Sequence, residues 1–188
     1  MKEVDFSANN KKTKFSLLDI VNKEEYVLPA WRMNEIFKIA AETFFTSDFY
    51  EDDFDYTKMI ADEGIRIKKY SSFDAENLKK FFKISLSLWD EGVSFSFPIL
   101  ETGERGVIIA YNDNNCSEYE KMLRLLHEYG HVKMKHTQQS INGEMEATFF
   151  AAAMFTIIMS EQMFHAGKKF VMQNGKDQLL QAVRSILK

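Results

Sequence analysis

Two histidines four residues apart, with a glutamate beside the first, make His127-Glu128-Tyr129-Gly130-His131 the densest chemical constellation in the chain. Four residues turn an α-helix by about 400°, so on a helix both imidazoles leave nearly the same face, one turn apart. So placed, they can hold one divalent metal through ring nitrogens, while Glu128 reaches a water on that metal rather than the metal itself. Zinc lowers the pKa of such a water toward ~7, and the carboxylate takes its proton. The chemistry that follows is metal-assisted hydrolysis.

A catalytic zinc needs a third protein ligand and an open fourth position. Glu144-Met145-Glu146-Ala147 begins thirteen residues after His131. On a helix, Glu144 and Glu146 point about 200° apart, so only one of them faces the metal. Glu144 is favoured, because its face continues into Ala147 and Ala151, small residues that let two helices approach closely. The alternative is that both carboxylates simply favour the positive end of a helix.

Several elements must position these residues. Ser117, with Glu120 three residues on, is a capping-box signature and predicts a helix over 117–135. Asn142-Gly143 predicts a break, with a long helix from about Glu144, then shorter helical stretches over 161–172 and 176–187. Upstream, Pro29 precedes a helical pattern over 31–45, and a short helix over 55–62 stops at Gly64, a C-cap residue. Alternation predicts strands over 65–70, 93–99 and 107–111, the last two a hairpin around the turn residues 102–106. Asp74 caps a further helix to about Phe81, and 82–88 alternates like a strand without settling between strand and helix. The expected fold class is α+β: a small antiparallel or mixed sheet packed on helices, with the H-E-x-x-H helix followed by one bearing the third ligand. Residues 1–30 read as a polar, weakly structured lead, and 31–188 as a single domain with C-terminal helices.

Composition narrows the function classes. A net charge of -4 lacks the basic footprint of a nucleic-acid binder. Hydrophobic residues at 45% argue for a packed core, and the single cysteine, Cys116, excludes an internal disulfide framework and fits a reducing compartment. No signal peptide is visible, and no run approaches the ~20 apolar residues of a membrane span, so the expectation is cytoplasmic.

From about residue 56 to 155 the chain resembles the ImmA/IrrE-type metallo-endopeptidases, gluzincin-like proteins of Gram-positive bacteria, their phages and integrative elements. The resemblance rests on Gly64-Ile65 ending a short helix, Val107-Ile108-Ile109-Ala110-Tyr111-Asn112-Asp113, the H-E-x-x-H motif, and Glu144-Met145-Glu146-Ala147-Thr148-Phe149-Phe150-Ala151. The last stretch is similar to the family's E-x-x-A-N-x-F-A element, which implies a zincin-like fold and Glu144 as third ligand of one zinc ion. The family further implies a protein substrate, a helix-turn-helix repressor of a mobile element, which such proteins cleave or antagonise. Thr148 departs from the usual asparagine or aspartate, implying weaker support for the ligands, and the Leu-Met-Pro after the alanine-rich stretch is missing.

If strand 107–111 is the sheet edge, a substrate can add to it as an extra strand, putting Ile109, Ala110 and Tyr111 against the substrate; an ordinary core strand is the alternative. His136, about 180° round the helix from His127, is expected as a surface residue or a partner of the helix C-terminal dipole rather than a ligand, with a supporting role behind the ligands or at the transition state as the alternative, and His165 as structural or solvated. Tyr111 and Tyr129 are better read as packing than as oxyanion donors. Three readings remain: an endopeptidase using Glu128 as base, a regulator of the same fold that acts by binding without cleavage, or a protein in which H-E-x-x-H occurs by chance and no metal binds.

Overall fold

The computed structural model describes residues 27–47, 55–77, 80, 92–98, 105–114, 116–138 and 140–186. The lead before residue 27, the ambiguous stretch 82–88 and most of the hairpin turn lie outside them. The architecture is α+β, a small mixed three-stranded sheet packed on helices. Its order is α1 (Ala30–Phe45), α2 (Tyr56–Asp62), β1 (Ile65–Lys69), a 3₁₀ turn (Tyr70–Ser72), a single helical turn α3 (Ala75–Asn77), β2 (Gly92–Pro98), β3 (Arg105–Tyr111), α4 (Glu118–Lys133) and α5 (Ile141–Ile186).

Local signals account for most of the boundaries. The Pro29 carbonyl accepts from Arg32 and Met33 to open α1, which turns Ile36, Ala40 and Phe44 inward and leaves Phe37 and Phe45 outside. Asp55 caps α2 by accepting from the Thr57 and Lys58 backbone N–H groups, and Gly64, at φ 77°, ends it in the left-handed region that suits glycine. Asp74 caps α3 in the same way, through the backbone N–H groups of Glu76 and Asn77.

In the sheet, β3 pairs parallel with β1 and antiparallel with β2, giving the order β1-β3-β2. The expected hairpin of β2 and β3 is present, but β3 is the central strand, not the edge. Ile109, Ala110 and Tyr111 are buried and paired on both sides, so no substrate strand can add to them. The core-strand alternative is the correct one. Strand order depends on which distant segments pair, and alternation within one strand carries no information about it.

Register puts Gly92 opposite Tyr111 and Ser94 opposite Ile109, so these share one sheet face with Ile65 and Ile67 of β1. That face packs on α4, whose Met122, Leu125, Leu126 and Tyr129 are buried. On the other side of α4 lies α5, with Ala147, Phe150, Ala151, Met154 and Ile158 turned into the same core. The Tyr129 and Phe150 rings meet edge to face at 5.8 Å.

α5 differs from expectation. It is one helix of 46 residues rather than three stretches, and it starts at Ile141 with Asn142 and Gly143 inside its first turn. The Ser140 hydroxyl accepts from the Gly143 backbone N–H and so supplies the cap. Glycine inside a helix costs about 1 kcal/mol but does not end it unless the chain turns left-handed there. Joined in this way, the segment Ile141–Lys169 is long and apolar enough by length and composition to cross a membrane, which separate stretches were not. Its inner face is the one packed into the core.

Candidate metal centre

Gly130 sets the spacing between the two helices that carry the site. A Cβ there would lie 3.1 Å from the Ala147 Cα, 3.1 Å from the Phe150 ring and 3.2 Å from the Ala147 carbonyl oxygen. Glycine on α4 against alanine on α5 therefore lets the backbones approach more closely than any larger pair allows. Within one turn of this contact along each helix, that approach brings His127, His131 and Glu144 together.

Their ligand atoms lie within 4.8 Å of one another, close enough to hold a metal ion. His127 Nε2 is 3.1 Å from His131 Nε2, and Glu144 Oε2 is 3.2 Å from the former and 3.6 Å from the latter. A tetrahedral centre with nitrogen and oxygen ligands at ~2.0–2.2 Å requires edges of about 3.3–3.6 Å. The three side chains span such a triangle with little adjustment. Burial alone would push the Glu144 carboxyl up, but hydrogen bonds from both imidazoles outweigh it and hold the group at about 2. Glu144 is thus an anion in the fold, the state a ligand needs.

Glu128 is nearly inaccessible, at 8% exposure. Burial pushes its carboxyl up, while the charges of His127 and His131 and a hydrogen bond with Ser94 pull the other way. Space for it comes from β2: a Cβ on Gly92 would sit 3.1 Å from the Glu128 Cγ. Ser94, which hydrogen-bonds the Glu128 side chain, is a neighbour that sequence reasoning missed. Alternation over 93–99 marks a strand without saying which of its faces meets a helix, and it is the Gly92–Ser94 face that meets α4.

Each histidine has support behind it. Thr148 Oγ1 lies 3.3 Å from His127 Nδ1, so the threonine does reach this imidazole despite its shorter side chain. His131 Nδ1 is 2.9 Å from His136 Nδ1, and His136 Nε2 is 3.1 Å from Glu146 Oε2. The expectation of a surface His136 is therefore overturned. It assumed that the helix continues, whereas α4 ends at Lys133 and the chain reverses. Lys135 sits at φ 57°, its N–H donates to the Val132 carbonyl, and the His136 N–H donates to the His131 carbonyl. This 6→1 and 5→2 pair is the Schellman ending. It folds His136 back over the last turn, where Gly143 leaves room for its ring.

The remaining candidates fall into place as packing or surface groups. Glu146 faces away from the gap, as the 200° argument requires, and pairs with Arg32 of α1 through two bonds of 2.8 and 2.6 Å. Tyr129 is fully buried and donates from its hydroxyl to Glu63, and Tyr111 is buried in the core. His165 is exposed beside Glu161. No protein-family model matches the chain, and no curated protein or solved structure shows significant similarity to it.

Proposed function

We propose that the protein is a zinc-dependent metallo-endopeptidase. The observation that carries this reading is the convergence of His127 Nε2, His131 Nε2 and Glu144 Oε2 on one gap, with Glu128 buried beside it. Two imidazoles and one carboxylate form a donor set suited to zinc, and three protein ligands leave a fourth position for water or substrate. Bound there, zinc supplies Lewis-acid chemistry, lowering the pKa of a water and polarising the scissile carbonyl.

The residues of the chain do the rest. Glu144 brings negative charge that offsets the cation. Glu128 takes the proton of the attacking water as its oxygen bonds to the carbonyl carbon. It then delivers that proton to the amide nitrogen as the C–N bond breaks. Ser94 hydrogen-bonds the Glu128 side chain and holds its orientation, and Gly92 leaves the space the carboxylate occupies.

The resemblance to ImmA/IrrE-type peptidases supports a protein substrate, a helix-turn-helix repressor, met in the cytoplasm with no direct contact to nucleic acid or membrane. With β3 enclosed, the strand that borders both Glu128 and the outside of the described sheet is β2, and an extended substrate is best accommodated along it. Glu128→Gln keeps shape and zinc while removing the base. It is expected to bind zinc as the wild type does and to lose cleavage of a repressor substrate by at least a hundredfold, the lower range for a general base. Retained cleavage in that variant sinks the assigned mechanism. Loss of cleavage with full retention of repressor release favours the non-catalytic regulator instead.

A further inference from the structure

Behind His131, away from the gap, a line of polar contacts crosses three elements. His131 Nδ1 meets His136 Nδ1 at 2.9 Å, His136 Nε2 meets Glu146 Oε2 at 3.1 Å, and Glu146 accepts two bonds from the Arg32 guanidinium. Arg32 also reaches Glu35 at 3.0 Å. The His131, His136 and Glu146 side chains are only 14–15% exposed and Arg32 is 26% exposed, so water competes weakly for these groups.

Proton counting gives the line a direction. Glu146 accepts from two N–H groups of the Arg32 guanidinium in a bidentate pair, which makes it the acceptor at this end of the line. His136 must therefore donate from Nε2, and in its neutral form it accepts at Nδ1. That acceptor faces His131 Nδ1, which must carry the proton. Nε2 of His131, the atom that faces His127 and Glu144 and shares a hydrogen bond with Glu144 in the metal-free protein, is then the nitrogen left to bind a metal.

We propose that His136, Glu146 and Arg32 are positioning residues that hold His131 in the tautomer and ring orientation a metal ligand requires. This rests on reading the gap as a metal site. Glu146 plays the part of the carboxylate behind a metal-bound histidine, displaced by one imidazole. Arg32, on α1, fixes that carboxylate in a bidentate grip, so the seating of α1 on α5 is coupled to the readiness of the metal site. The two carboxylates of the Glu144-Met145-Glu146 stretch thus divide the work, one entering the gap and one acting from behind.

The test uses the full chain stripped of metal. Zinc affinity is measured by competition with a chromophoric chelator, and the visible spectrum is recorded after loading with cobalt(II). His136→Ala and Glu146→Gln are expected to weaken zinc binding ten- to a hundredfold, with altered cobalt bands. Arg32→Gln should act in the same direction by a smaller factor. His136→Gln keeps a hydrogen-bond acceptor, should lose less affinity than His136→Ala, and carries the test if the alanine variant does not fold. Urea unfolding of the metal-free variants separates a merely structural role, which lowers stability and leaves the zinc affinity and cobalt spectrum of folded protein unmoved. Wild-type affinity and spectrum in Glu146→Gln and both His136 variants overturn the proposal while leaving the metal site intact. A wild-type chain that binds neither metal overturns the site itself.

Discussion

Replacing Gly130 by alanine tests whether the close approach of α4 and α5 builds the site. In an ordinary helix interior the change is stabilising, by about 0.8–1.0 kcal/mol of helix propensity. Here the new methyl lands 3.1 Å from the Ala147 Cα, 3.1 Å from the Phe150 ring and 3.2 Å from the Ala147 oxygen. The Phe150 ring can tilt, but two of the three atoms are backbone and cannot rotate away. The helices must separate by a few tenths of an ångström, and overpacking of this kind costs roughly 1–3 kcal/mol. The net expectation is a loss of about 1 kcal/mol in the metal-free protein. Ala147 lies less than one turn from Glu144, so the displacement also widens the 3.2 and 3.6 Å separations of Glu144 from the two imidazoles. Zinc affinity should fall about tenfold, or ~1.4 kcal/mol. Urea unfolding of the metal-free protein reads the first effect, and chelator competition reads the second. A Gly130→Ala protein stabilised by the full ~1 kcal/mol, with unchanged zinc affinity, would refute the packing argument.

Lys135 occupies the left-handed position that ends α4, where an L side chain costs roughly 1–2 kcal/mol. Lys135→Gly removes that strain at the expense of greater unfolded-chain entropy and should raise stability by about 0.5–1 kcal/mol in urea; a destabilised variant contradicts the assigned ending. The capping carboxylates of Asp55 and Glu120 are held below the ordinary range, Asp55 first by the Thr57 hydroxyl and Glu120 first by the Ser117 backbone N–H. A depressed carboxylate stabilises the fold above its unfolded pKa of about 4, and that contribution is lost as pH falls through the lower folded value. Helical circular dichroism should therefore decline below about pH 4, and less steeply in the double variant Asp55→Asn, Glu120→Gln; parallel acid curves would rule the caps out as the cause.

What was legible in the sequence was what short-range chemistry dictates. Ser117 and Glu120 form a reciprocal capping box, with Ser117 Oγ and Glu120 Oε2 each accepting from the other's backbone N–H. Gly64 closes α2, and the three strands fall within a residue or two of their expected bounds. Helical geometry allowed only one of Glu144 and Glu146 to face the gap, and the small residues Ala147 and Ala151 on its face, with the family resemblance, favoured Glu144. What escaped was non-local or conformational. Pairing partners decide that β3 is central, and no periodicity within β3 encodes them. The return of His136 depends on Lys135 adopting a backbone conformation that lysine seldom takes, so no glycine marked the turn. Arg32 and Glu146 are 114 residues apart, and nothing short of the packed α1–α5 pair brings them together. Ser94 was hidden by its strand, because the polar face of β2 is the face turned to the site.

The most direct test of the metal centre is elemental analysis of purified protein, wild type beside His131→Ala. The account predicts about one zinc per chain in the wild type, lost in the variant. No metal in either after zinc is supplied would contradict the assignment of His127, His131 and Glu144 as a zinc site.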